Sequence, residues 1–204
     1  MLKLWGRISS INVQKVVWAL DEIGLDYERV DIGGPFGSTP EYQRLNPNNL
    51  VPTLQDDDFT LWESNAIVRY LMAQNMEAGL MPADPKIRAD ADRWMDWQAT
   101  SATPGMRDVF WQLIRTKPED RDAAALERSI AASARAAAIL DAHLATRPYM
   151  AGDDFTMGDI PVACHVNRWY LLPIDRPPLP NLERWWQRVR ARPGAQTVVK
   201  LPLT

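Results

Sequence analysis

The sequence predicts an α/β domain followed by an all-helical domain. Strand-like and helix-like patterns alternate over residues 1–77, and no convincing strand pattern follows residue 86. The intervening residues 78–86 are rich in glycine and proline, a composition typical of a linker. We therefore predict an α/β domain at 1–77, a linker at 78–86 and a helical domain at 87–204.

The first domain is predicted to have the order β-α-β-α-β-β-α. Apolar residues at helical spacing run from Val13 to Ile23, directly before Gly24, a residue type that commonly ends helices. Short apolar runs on either side of residues 56–58 favour a hairpin. The successive segments are LKLWG, VQKVVWALDEI, YERVDI, PEYQRL, VPTLQDDDFTLWES and ESNAIVRYLMAQ. This order suits a parallel βαβ unit joined to an antiparallel hairpin.

The second domain is predicted to consist of helices alone. Pro104 is expected to bend or end the first long helix, because proline lacks a backbone N–H. Residues 120–145 are rich in alanine, with an apolar stripe at helical spacing. Thr156 and Asp159 have the spacing of a capping box, which we interpret as purely structural.

Composition and charge exclude several functional classes. The formal charge is −3 with no long basic run, so a nucleic-acid groove is not expected. The start of the chain lacks the apolar region of a secretory signal, and no apolar run is long enough to span a membrane. Cys164 is the only cysteine, which suits the reducing cytoplasm. His143 and His165 are the only histidines, so no metal site is expected.

Three polar residues, Ser9, Ser10 and Asn12, lie where the first helix is predicted to start. Any of them could cap the helix, and taken alone this interpretation is favoured. A helix N-terminus also attracts anions and can lower the pKa of a thiol that binds there. The same residues could therefore hold a thiolate.

The Val51–Pro52 pair precedes the predicted hairpin. Residues before proline are extended, so Val51 is expected to be strand-like. A cis bond would turn the Val51 backbone outward, where an extended peptide could pair with it. Because only about 5–6% of X–Pro bonds are cis, the local sequence favours an ordinary trans proline.

Glu63 and Ser64 lie where the third helix is predicted to start. The simpler interpretation is that they cap this helix and complement its dipole. The alternative is a clamp for a zwitterion, in which Glu63 binds an ammonium and Ser64 binds the neighbouring carboxylate.

Taken together, these motifs resemble those of the cytosolic glutathione S-transferases. SSIN, NPNNLVPTL, WES and FTMGDI occur in the order and spacing of that family, and the resemblance covers essentially the whole chain. It is strongest to bacterial serine- or asparagine-type members, theta-like or nu-like. The resemblance implies a thioredoxin-like N-terminal domain, an all-α C-terminal domain, a homodimer, glutathione as co-substrate and a role in detoxification.

The resemblance also implies roles for individual residues. Ser10 or Asn12 would stabilise the glutathione thiolate, with Ser9 as a neighbouring candidate, and Pro52 would be cis. The residues implied to bind glutathione are Asn49, Leu50, Val51, Pro52, Glu63 and Ser64. Those considered for the electrophile pocket are Trp97, Ser101, Phe110 and Trp169, although aromatic residues at such spacings more often belong to a core or an interface.

The sequence departs from the family at the glycyl end of glutathione. Many relatives place a basic residue where this chain has Pro35 and Leu50. The leading function is conjugation of glutathione to a hydrophobic electrophile. The alternatives are a glutathione-dependent peroxidase or disulfide reductase at the same site, and a scaffold that has lost catalysis. Cys164 is not expected to serve the redox alternative, because it lies far in sequence from the motif.

Overall fold

A four-stranded mixed sheet organises the first part of the chain in the computed structural model, which describes all 204 residues. The sheet order is β2-β1-β3-β4, with β1 parallel to β2 and antiparallel to β3. The strands are β1 (Leu2–Trp5), β2 (Tyr27–Val30), β3 (Thr53–Asp56) and β4 (Phe59–Trp62). The hairpin β3–β4 and the parallel βαβ unit are both present, as predicted.

Helices cover both faces of this sheet. They are α1 (Ile11–Ile23), α2 (Pro40–Leu45) and α3 (Ser64–Gln74), and α1 packs along α3. The apolar stripe of α1 is buried from Val13 to Leu20, Ile23 is half-buried, and Gly24 ends the helix in the left-handed conformation. Successive strand residues point to opposite faces, so Trp5 lies on the face away from Leu4 and packs against Tyr42 of α2.

Residues 192–200 pack with the sheet unit, whereas they were predicted to belong to the helical domain at 87–204. The chain divides into residues 1–81 with 192–200 and residues 82–191 with 201–204. Arg192 forms a salt bridge with Glu22 of α1 at 2.5 Å, and α9 (Gln196–Val199) also packs on α1. A Cβ at Gly194 would lie 2.7 Å from the Glu22 backbone nitrogen, so this approach requires glycine.

The second unit contains only helices, and its secondary structure confirms the all-helical prediction. Its helices are α4 (Pro85–Trp97), α5 (Thr103–Phe110), α6 (Ala123–His143), α7 (Asp159–Leu171) and α8 (Pro180–Arg190). A π turn at Gln98–Ala102 joins α4 directly to α5. The chain therefore stays helical through Pro104. This proline lies in the first turn of α5, directly after the wider π turn, and it has no backbone N–H to donate. None of the helices has the length and apolar character needed to cross a membrane.

The capping box at Thr156 and Asp159 is present at the start of α7. The Asp159 carboxylate accepts from the Thr156 backbone N–H at 3.0 Å, from the Met150 N–H at 3.0 Å and from the Trp185 indole at 2.9 Å. The Thr156 hydroxyl accepts from the Gly158 N–H at 3.2 Å. Gly158 has no room for a side chain, because a Cβ there would lie 2.9 Å from the Ala91 Cα of α4.

Asp159 is completely buried, and burial raises the pKa of its carboxyl group to about 6, although the surrounding donors act in the opposite direction. An acid whose pKa is higher in the folded state loses part of its stabilising contribution as the pH rises from the unfolded to the folded value. That window runs from about pH 4 to pH 6 here, and above it the ionised carboxylate accepts all of these hydrogen bonds.

We expect Asp159→Asn to lower the free energy of unfolding at pH 7 by about 1–3 kcal/mol, because an amide NH₂ would face buried donors. The difference from wild type should be larger at pH 4 than at pH 7, following the window given above. Urea unfolding at both pH values measures this difference, with the exposed Asp154→Asn as the control. Equal stability of wild type and Asp159→Asn at pH 7 would contradict this assignment.

Candidate active site

A cavity of about 100 Å³ in the first unit brings three sequence motifs together. Its walls come from the start of α1, the loop before β3 and the start of α3. The lining residues are Asn12, Asn46, Asn48, Leu50, Val51, Pro52, Trp62, Glu63 and Ser64. No group of three or more His, Cys, Asp or Glu side chains is placed to hold a metal ion.

Ser10 occupies the N-cap position of α1, but its side chain makes no capping hydrogen bond. The turn is held instead by the Gln14 backbone N–H, which donates to the Ser10 carbonyl at 2.9 Å, and by the Gln14 amide, which donates to the Ile8 carbonyl at 3.1 Å. Asn12, half-buried in the first turn, is the one predicted catalytic residue that lines the cavity. Ser9 and Ser10 lie in the preceding segment and are also half-buried.

The Val51–Pro52 bond is cis, as the family resemblance implied and against the expectation from local sequence. The ladder of β3 begins only at Thr53, so the Val51 backbone lies beside the cavity and outside the sheet pairing. Asn49, immediately before Leu50, has a positive φ of 53°.

Two side chains from the α2 region, neither of which was predicted to have this role, hold this loop in place. The Asn46 amide donates to the Leu50 carbonyl at 2.8 Å and to the Thr53 hydroxyl at 3.1 Å. The Tyr42 hydroxyl donates to the same carbonyl. Burial raises the pKa of Tyr42, which keeps its phenol protonated as a donor. The only sequence signal was the polar NPNN run itself, which does not show that Asn46 faces inward.

Glu63 and Ser64 form the start of α3 and also line the cavity. Glu63 has φ of 72°, an uncommon conformation for a residue other than glycine, and its side chain is exposed and makes no capping bond. Ser64 is the first residue of the helix and is only 6% exposed. Unusual backbone conformations persist where surrounding structure holds them, and they are enriched at binding sites. The partial positive charge of the helix start favours an anion there.

Lys15 lies beneath this wall and was treated in the sequence as part of an ordinary amphipathic helix. Its side chain is buried, with Nζ at 3.4 Å from the Ser64 hydroxyl oxygen and 3.3 Å from the Asn65 side-chain oxygen. The available signal was its spacing, since a residue three positions after Asn12 lies on the same helix face.

Arg7 brings positive charge close to Val51, one of the residues that line the cavity. A Cβ at Gly33 would lie 3.0 Å from an Arg7 guanidinium nitrogen and 3.2 Å from a Val51 methyl. The Arg7 guanidinium therefore lies near Gly33 and near the Val51 side chain. Pro35, by contrast, lies within the short turn Gly34–Phe36, and the Leu50 side chain is 68% exposed. A basic group is therefore present near Val51, although at a different sequence position from the one expected.

The residues considered for an electrophile pocket all lie in the second unit. Trp97 and Ser101 are one helical turn apart where α4 meets the π turn. Phe110 is buried, with the Arg168 guanidinium 4.4 Å from its ring centroid. Trp169 is buried and lines a separate cavity of about 360 Å³ with Tyr170 and the Arg176 loop. The burial of Phe110 and Trp169 agrees with a position in the core, the alternative to substrate contact considered for aromatic residues at such spacings.

Comparison with known proteins identifies close relatives along the full chain. The N-terminal domain of glutathione S-transferases matches residues 1–73, and the C-terminal domain matches residues 71–193. Glutathione S-transferase GstB of Escherichia coli K12 is 41% identical over 208 residues, with both chains fully covered. Glutathione S-transferase 3 of Zea mays is 34% identical over 220 residues, covering 99% of this chain and 95% of its own.

A solved structure is similar over the same length. The crystal structure of the theta class glutathione S-transferase from Xanthomonas axonopodis pv. citri, with glutathione bound, matches with a TM-score of 0.96 and 45% identity. The match covers 100% of this chain and 99% of that chain. The agreement therefore extends over both units.

We expect Asn46→Ala to lower the free energy of unfolding by about 1–3 kcal/mol, because the buried oxygens of Leu50 and Thr53 would lose a donor. Asn48→Ala, at an exposed position in the same loop, should change it by less than about 0.5 kcal/mol. Urea unfolding measures both variants. A similar loss for the two variants would show that Asn46 does not fasten the loop.

Proposed function

The chain belongs to the glutathione S-transferase family, and from this premise we propose that it joins the sulfur of glutathione to a hydrophobic electrophile. The observation that carries the proposal is the cavity in the first unit, where Asn12, Val51 and Ser64 line one space. Of the two subclasses that the sequence left open, the theta class neighbour favours the theta-like one.

The residues that line the cavity suit the γ-glutamyl and cysteinyl units of an extended tripeptide. The exposed Glu63 carboxylate would bind the ammonium of the γ-glutamyl unit, and the Ser64 hydroxyl and the start of α3 would bind its carboxylate. Val51 would pair its backbone with the cysteinyl unit, because its N–H and carbonyl lie outside the β3 ladder. Asn49, Leu50 and Pro52 would shape this wall.

The start of α1 would stabilise the thiolate. A charge-assisted hydrogen bond from Asn12 or Ser10, together with the partial positive charge of the helix end, favours the deprotonated sulfur. The sulfur then forms a bond to the electrophilic carbon, and the leaving group departs with its electron pair. Asn12 is the leading candidate because it lines the cavity, while Ser10 and Ser9 remain candidates because they precede the same helix.

Arg7 would meet the glycyl carboxylate. Its guanidinium lies near Val51 and the Gly33–Gly34 turn, beside the proposed cysteinyl position. Arg7 would supply the basic group that is missing at Pro35 and Leu50. Its presence weakens the case for a scaffold that does not bind glutathione. A redox role for the chain's own thiol is not supported either, since Cys164 is buried within α7.

We also propose that the protein is a cytoplasmic homodimer. Phe59 and Trp62 of β4 are exposed apolar residues, and the Phe59 ring lies 5.2 Å from the Tyr70 ring of α3. Phe59 lies on the edge strand of the sheet, where an exposed aromatic side chain is suited to contact with a second copy of the chain. Cys164 is the only cysteine, so no disulfide can form within the chain, which suits a reducing compartment.

We expect Asn12→Ala to lower kcat/KM for chlorodinitrobenzene conjugation by about 10- to 100-fold, the effect of losing a hydrogen bond to a charged group. Ser10→Ala and the double variant show whether the two residues share the role. Measuring kcat/KM against pH should show a higher thiol pKa in the affected variants. Gln43→Ala, exposed on α2, is the control. If all of these proteins react at the wild-type rate, the start of α1 is not catalytic.

We expect Arg7→Gln to raise the Kd for glutathione about tenfold, because a charged partner of the glycyl carboxylate is lost. The variant should bind an analogue with an amidated glycyl carboxylate about as well as wild type does. Calorimetric titration with both compounds measures this. An equal loss of affinity for both compounds would indicate that Arg7 only shapes the loop.

A further inference from the structure

Lys15 is a buried charged side chain beneath the start of α3. It is 1% exposed, and lysine is almost never buried to this extent unless hydrogen-bonded or paired. Its Nζ reaches the Ser64 hydroxyl at 3.4 Å and the Asn65 side-chain oxygen at 3.3 Å. A buried ammonium is therefore directed at the first two residues of a helix whose start lines the cavity.

This contact determines what Ser64 can offer to a ligand. A lysine ammonium has donors only, so the Ser64 oxygen must act as the acceptor. The Ser64 hydroxyl proton is then available for donation in another direction, and Ser64 lines the cavity. Toward the cavity, Ser64 thus acts as a hydrogen-bond donor, which suits an acceptor such as a carboxylate and disfavours an ammonium.

The charge itself acts in the same direction. Lys15 lies at the end of α3 where the helix dipole is positive, so the two contributions add. Electrostatic attraction is stronger in a buried region than in water, because the effective dielectric constant is lower. A carboxylate that binds the Ser64 hydroxyl would therefore be attracted by the Lys15 ammonium, which contacts the same hydroxyl.

We propose that Lys15 is a positioning residue that makes the Ser64 subsite specific for the α-carboxylate of the γ-glutamyl unit. This inference rests on the proposed function. It assigns to Lys15 a role that similarity to the known transferases does not indicate. The competing possibility is that Lys15 only joins α1 to α3. The two differ in one respect: a structural lysine would not discriminate between ligands with and without that carboxylate.

The test compares two probes, glutathione and the analogue whose γ-glutamyl α-carboxylate is an amide, by calorimetric titration. We expect wild type to bind glutathione about tenfold or more tightly than the amide. Lys15→Met should lose most of this preference, with a raised KM for glutathione and a kcat close to wild type. Lys15→Gln, which keeps a neutral donor for Ser64, should retain part of it. Leu20→Ala, buried on the same helix, should lower stability and leave the preference unchanged.

A double-mutant cycle adds a second readout. If Lys15 acts through Ser64, the losses from Lys15→Met and Ser64→Ala should not add in the double variant. Should Lys15→Met not fold, Lys15→Gln and Ser64→Ala carry the comparison. A wild-type preference for glutathione that both Lys15 variants keep in full overturns this inference alone. Failure of wild type to bind glutathione overturns the proposed function and, with it, the role of Lys15.

Discussion

The packing of α1 along α3 is the contact on which the candidate site depends. It places Asn12 of α1 and Ser64 of α3 in the wall of one cavity, and the Lys15 side chain joins the two helices just beneath. The start of each helix carries partial positive charge. The cavity therefore favours anionic groups, in agreement with a ligand that carries a carboxylate and a thiolate.

The loop that completes the cavity is held by side chains rather than by sheet pairing. Tyr42 and Asn46 converge on the Leu50 carbonyl, and the raised pKa of the buried Tyr42 keeps its hydroxyl a donor. Asn49 and Glu63, on either side of the Val-Pro segment, both have positive φ. Because non-glycine residues rarely adopt this conformation, the surrounding hydrogen bonds must outweigh its cost.

The second unit buries a carboxylate, that of Asp159, at the start of α7. Asp159 is tolerated inside because backbone and indole donors satisfy its oxygens, and Gly158 allows α4 to approach closely. These contacts hold the start of α7 in place within the helical unit. Family membership accounts for both units, since the matching domains cover residues 1–73 and 71–193.

The sequence by itself determined the order of strands and helices, the capping box at Thr156 and the three motifs of the candidate site. These features depend on periodicity and on residues close together in the chain. The cis state of Pro52 was implied by the family resemblance of the sequence, against the expectation from local sequence. Tertiary structure alone decided the inward direction of Asn46, the return of residues 192–200 to α1 and the contact between Lys15 and Ser64. The last two join residues about 170 and 49 positions apart, and local pattern carries no information on such contacts because packing in three dimensions creates them.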